Sequence, residues 1–172
     1  MDLVLVHNDP ANTLLTSNSG VQFKVETPKN EPTSIFRAKS EASTGSAEIL
    51  IGHLELRGTR DLRLRFCDIG SELILHPKAE TDLDISWTFL GPDSRPYKWQ
   101  IFFQYPVFTL NDNSNTLLAR YRRAKLGIVS RSRKAFIQIT PAGLDIADLI
   151  VVTFVAFMKQ RFMIDYYSAG ST

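Results

Sequence analysis

The stretch DIADLIVVTFVAFMKQRF, Asp145 to Phe162, decides the fold. Ile146, Leu149, Ile150, Val151, Val152, Phe154, Val155, Phe157 and Met158 leave no polar stripe at helical spacing. A helix that is apolar on every side must be enclosed rather than laid on a surface. Upstream, Thr140 and Pro141 suit an N-cap and a first helical position. Asp145 and Asp148 lie near the positive end of the helix dipole, and Lys159 and Arg161 near its negative end. The pattern predicts one helix over about 142–162. The uncharged run Leu149 to Met158 is shorter than the roughly 20 residues a bilayer span needs, so a buried helix and no transmembrane span are expected.

The residues before it predict what surrounds the helix. VQFKVE sets Val21, Phe23 and Val25 against Gln22, Lys24 and Glu26, and DLRLRF sets Leu62, Leu64 and Phe66 against Asp61, Arg63 and Arg65. LDISWTF and YKWQIFFQY alternate likewise, the second read as one strand with Tyr97, Trp99, Ile101 and Phe103 inward. This period of two is the mark of half-buried strands, and HNDPAN, SNSG, PKNEP, GPDSRP and NDNSN supply turns between them. Further strands are expected over 3–7, 13–16, 34–39, 48–57, 73–76, 107–110, 116–123, 126–130 and 135–139, about a dozen in all. A helix is roughly 10 Å across, and a can of about eleven strands holds one. The expected fold is therefore mainly β: a closed or nearly closed β-barrel of about twelve strands around a hydrophobic C-terminal α-helix, as a single domain over 1–172.

Composition agrees with a globular chain. Of 172 residues, 44% are hydrophobic and 22% charged, with one cysteine, which excludes disordered, collagen-like and disulfide-stapled classes. MDLVLVHN carries no basic region and too short an apolar core for a secretory signal, so a cytoplasmic location is expected.

LARYRR (Leu118 to Arg123), RPYKW (Arg95 to Trp99) and LDIADLIVVTFVAF (Leu144 to Phe157) resemble the signature segments of a fungal domain family of unknown function. That family is placed with the tubby-like superfamily, beside LURP-one-related proteins and phospholipid scramblases. The resemblance implies a twelve-stranded barrel around a hydrophobic C-terminal helix. Superfamily members differ in activity: tubby domains bind phosphoinositides and scramblases act on membranes, while the fungal family has no assigned activity.

No reaction chemistry is legible. Phosphate-loop, dinucleotide, nucleophile-elbow and HExxH motifs are missing, and no catalytic residue, metal ligand or cofactor is nominated. His7, His53 and His76 are isolated, and Glu80, Asp82 and Asp84 read as a solvated strand face. What stands out is RYRRAKLGIVSRSRK, in which Arg120, Arg122, Arg123, Lys125, Arg131, Arg133 and Lys134 occur without one acid. Alternation turns Arg120 and Arg122 outward and Tyr121 inward. Arg57, Arg60, Arg63 and Arg65 form a second basic group. If Arg63 and Arg65 stand beside the first group, the two make one anion-binding surface. The expectation is a non-enzymatic binding module, peripheral at a membrane, engaging anionic phospholipid or a protein partner through a basic face. The alternatives are nucleic-acid binding by the same face, for which no exposed aromatic platform is expected, and an enzyme with an unrecognised surface site.

Overall fold

Alternating sequence becomes antiparallel sheet along most of the chain. The structure is a computed structural model that describes residues 1–29, 31–39, 48–57, 61–67, 72–75, 78–81, 84–127 and 132–169. Its strands are β1 (Asp2–Leu5), β2 (Thr13–Ser17), β3 (Gly20–Glu26), β4 (Thr33–Arg37), β5 (Ile49–Arg57), β6 (Asp61–Phe66) and β7 (Glu72–Leu75). They continue with β8 (Lys78–Thr81), β9 (Asp84–Leu90), β10 (Pro96–Phe102), β11 (Tyr105–Leu110), β12 (Leu117–Arg122) and β13 (Phe136–Ile139). A 3₁₀ turn (Pro141–Ile146) leads into α1 (Ala147–Ala169).

The described strands form one sheet in the order β7-β6-β5-β4-β3-β2-β1-β13-β12-β11-β10-β9-β8. Chain neighbours pair with each other almost throughout, and β1 closes the long excursion by pairing with β13: Leu3 stands opposite Ile137. The two end strands, β7 and β8, follow one another in the chain with only residues 76 and 77 between them. Its two edges are thereby kept near one another. No ladder joins β7 to β8 among the described residues, so of the closed or nearly closed wall expected from sequence, full closure is not found: the sheet is open along this seam. The short β8 slips register against β9 between Ala79 and Thr81 and ends the sheet.

The inner face carries most of the apolar residues of the described alternations, Val21 and Phe103 excepted, and α1 lies against it. Leu149 to Met158 are buried without interruption. Strands far apart in the sheet reach the helix: Thr33 of β4 accepts from Lys159, Gly52 of β5 packs on Val152, Trp87 of β9 donates to Gln160, and Tyr121 of β12 meets Phe154. A flat sheet could not bring β4, β5, β9 and β12 to one helix, so the sheet curls. Residues Pro141–Met163 have the length and apolarity of a membrane span, with a hydropathy of 1.8, but most of that stretch is covered by the sheet. Burying a large apolar side chain contributes roughly 1.5–3 kcal/mol, so this interface dominates the stability of the fold.

Four local expectations are corrected. First, α1 begins at Ala147, because residues Pro141–Ile146 wind as a 3₁₀ turn that lets Gly143 press against β12. Second, the Thr140 hydroxyl caps nothing; it donates to the carbonyl oxygens of Leu117 and Leu118. Third, the helix runs on to Ala169, so Lys159 and Arg161 sit in its middle and its last turn holds no basic residue. Fourth, YKWQIFFQY is not one strand. The chain reverses at Phe103 and Gln104, so β10 and β11 form a hairpin in which Phe102 pairs with Tyr105. In addition, Leu126 and Gly127 lie outside any strand, residues 128–130 lie outside the described ones, and β8 was not expected.

Candidate functional site

Strands β10 to β13 present one continuous outer face, and the side chains on it follow from the pleat. Tyr121 is buried against Phe154, so its neighbours Arg120 and Arg122 turn outward, as alternation requires. Burial also holds the Tyr121 hydroxyl pKa above its ordinary value, against the opposing pull of Arg123. Arg120 stands across from Val107 on β11 and Gln138 on β13, and its Nε donates to Gln138 Oε1 at 2.6 Å. Arg122 lies over the ring of Tyr105, 4.7 Å from the centroid. Neither guanidinium forms an ion pair with any described residue. The sheet neighbour of Gln138 on β1 is Asp2, an exposed acid.

Gln100, Phe102, Phe103, Tyr105, Arg120 and Arg122 border a half-open groove of about 400 Å³. Val107, Thr109 and Leu117 complete it, so the lining holds two cations and no acid. The hollow thus sets two guanidinium-bearing residues beside apolar surface.

Beyond Arg122 the chain leaves the sheet and returns at Phe136. Arg123, Lys125, Arg133 and Lys134 are all exposed in this connection. Lys125 and Arg133 form an isolated antiparallel bridge, with backbone N–H to O distances of 2.8 and 3.1 Å. The Arg133 guanidinium donates to the Arg123 carbonyl and lies 4.9 Å from the Phe136 ring centre. Register places the β10–β11 turn, the end of β12 and the start of β13 at the same end of the sheet. Basic connection and aromatic turn are therefore neighbours in space.

The second basic group is elsewhere. In the sheet order, β6 is separated from β12 by β5, β4, β3, β2, β1 and β13. At about 4.8 Å per strand, Arg63 and Arg65 are more than 30 Å along the wall from Arg120. They share a hollow of about 270 Å³ with Pro32, His53 and Glu55, and Glu55 stands directly across from Arg63. His53 Nδ1 is 3.1 Å from Ser34 Oγ. The two groups do not make one surface, and the second carries its own acid. Arg60, His76, Asp82 and Arg131 lie outside the described residues, as does the side chain of Arg57.

Alternation missed the aromatic turn. Phe102 is 58% exposed and Phe103 80%, their rings edge to face at 4.6 Å. Alternation alone puts Phe103 in the interior, because no glycine or asparagine marks the reversal. The doublet Phe102–Phe103, which interrupts the alternation, is the one trace of a hairpin in the sequence.

Comparison with curated proteins and with solved structures finds no significant match. The sequence profile of one family matches residues 8–163, which take in every strand from β2 onward and most of α1. The chain accordingly belongs to DUF6593, a family of unknown function.

Proposed function

We propose that the protein is a non-enzymatic module that docks, as a peripheral cytoplasmic protein, on anionic membrane lipid through the outer face of β10 to β13. The observation that carries this reading is the pair Arg120 and Arg122, without acid partners among the described residues, on the rim of an apolar groove. A phosphate or carboxylate headgroup satisfies the guanidinium donors, and the groove takes the apolar part next to it. Arg123, Lys125, Arg133 and Lys134 add positive potential at the same end, while Arg63 and Arg65 stay outside the contact. The same reading takes the curled sheet as the wall of a tubby-like barrel. Its strand order, which leaves the consecutive strands β7 and β8 at its two edges, and the contacts of α1 with distant strands support that view. Since the inside is filled by the helix, the working surface is outside.

Vesicle sedimentation at physiological salt tests it. The protein pelleting with vesicles containing phosphatidylserine and not with neutral ones is the expected result. Each basic residue near such a surface contributes about 1 kcal/mol, so reversing Arg120, Arg122 and Arg133 to Glu weakens binding by about a hundredfold or more. No pelleting of the wild type, or pelleting that survives this reversal, refutes the proposal.

A second reading is nucleic-acid binding, favoured by the exposed Phe102 and Phe103 beside arginines. The two rings meet at 81° and Arg122 covers Tyr105, which leaves no pair of parallel faces for stacked bases. A steep salt dependence of binding to single-stranded RNA would favour it over lipid. A protein partner would use the same face through an acidic patch.

A further inference from the structure

The β10–β11 turn breaks two ordinary rules at one place. Phe103 and Gln104 have φ of 46° and 68°, consecutive left-handed residues in a two-residue hairpin. Such turns favour Asn-Gly, because a Cβ crowds the neighbouring carbonyl in this backbone and bulky side chains are rare there. Here a phenylalanine holds the first position, with its ring in water. Neither turn preference nor core packing accounts for that residue.

The backbone that carries the ring is held firmly. The β10–β11 ladder runs unbroken from Tyr97 opposite Leu110 to Phe102 opposite Tyr105, and β10 is pinned to α1 where Trp99 Nε1 donates to Thr153. Phe102 and Phe103 thus project from a rigid hairpin. Next to them Tyr105 carries Arg122 on its face, and beyond lies the basic connection of Arg123, Lys125, Arg133 and Lys134.

We propose that Phe102 and Phe103 are a membrane anchor that enters the interfacial layer of the anionic bilayer whose headgroups the arginines hold. The inference rests on the lipid reading above and adds an apolar contact to it. Charge chooses the occupant: an apolar pair bordered by cations and no acid complements an anionic bilayer, where aromatic rings settle at headgroup depth beneath a negative surface. The turn presents both rings outward without backbone rearrangement, which limits the ordering cost on contact to the two side chains.

Vesicles of phosphatidylcholine with about one third phosphatidylserine supply the probe. The variant Phe102→Ser/Phe103→Asn removes both rings, and asparagine accepts the left-handed backbone, so a thermal melt at or above that of the wild type certifies its fold. Its affinity falls by about a hundredfold, roughly tenfold per ring. The portion of binding that resists raised salt disappears, since that portion is apolar. A separate Phe102→Trp variant is quenched by bromine-labelled lipid, whereas the buried Trp87 and Trp99 of the wild type are not. Wild-type affinity in the folded double variant, or an unquenched Trp at position 102 in the vesicle-bound protein, overturns the anchor and leaves the lipid reading standing. Failure of the wild type to bind these vesicles overturns both.

Discussion

Trp99 donates its indole N–H to the Thr153 hydroxyl across 2.9 Å of fully buried space, tying β10 to the middle of α1. Thr153 is the single polar residue between Leu149 and Met158, and its own hydroxyl hydrogen is accepted by the Leu149 carbonyl at 2.7 Å. Each polar atom in this pair is satisfied by another, so an otherwise apolar helix keeps one fixed rotation against the sheet. Replacing Thr153 by Val preserves shape and removes the acceptor. The orphaned indole costs about 1–3 kcal/mol, read as a lower urea midpoint with unchanged slope. Thr153→Ser, which keeps the oxygen, retains most of the stability; equal losses in both variants would show that packing, not the bond, matters here.

Close approach of backbone to helix gives a second expectation. A Cβ added to Gly143 would lie 2.6 Å from the Leu118 carbonyl oxygen, with Ile150 and Ile139 side-chain atoms at 3.0 and 3.1 Å. Backbone on one side cannot yield as a side chain can. At Gly52 the nearest atoms belong to Val152, at 3.0 and 3.1 Å, and they can move by rotation or small shifts of the helix. Gly143→Ala therefore destabilises by about 1–3 kcal/mol and by more than Gly52→Ala, a ranking that paired denaturation curves check.

Much of this architecture is legible from residue order, and the failures have causes. Period-two runs such as Asp61 to Phe66 place Leu64 and Phe66 in the core and Arg63 and Arg65 outside, because a half-buried strand can satisfy its two faces in only one register. The all-round apolar segment announces a covered helix for the same reason. Neighbourhood is harder. Arg63 and Arg65 look like partners of Arg120 and Arg122 until the strand order separates them, and nothing local in either strand encodes six intervening strands. The hairpin at Phe103 escapes reading because its residues contradict the turn they form. Val21, alternating with Phe23, is exposed because a register shift between Leu15 and Thr16 turns it away from the core.

Alkaline titration separates a half-buried amine from two buried phenols. Burial lowers the pKa of Lys159, with Asp9 pulling the other way, and its Nζ donates to Thr33 Oγ1. Between that lowered value and the unfolded 10.5 the unfolded chain binds more protons, so this lysine makes stability climb as pH rises through the window. Tyr97 and Tyr121 act oppositely. Burial raises both above 10, and for Tyr97 the bond to Asp93 adds to the effect. Above pH 10 the unfolded state loses phenolic protons that the folded state keeps, and stability falls. Lys159→Met should flatten the rise, and Tyr121→Phe should soften the fall; melting curves at closely spaced pH values resolve the two. Unchanged pH profiles in both variants would contradict the assignment.

Phe103 offers a last test that needs no ligand. A non-glycine residue in the left-handed region carries a conformational cost, and asparagine bears it more easily than an aromatic side chain. The exposed ring gives little packing in return, its main contact being Phe102 edge to face. Phe103→Asn should then raise stability, by about 0.5–1 kcal/mol, measured as a higher melting temperature with the cooperativity of the wild type. Natural sequences sit close to the stability they need, and a site that grows more stable when its residue is changed is one where another requirement has set the residue. A drop in melting temperature would mean that the ring supports the fold through Phe102, and the conformational strain at the turn would then lose its functional meaning.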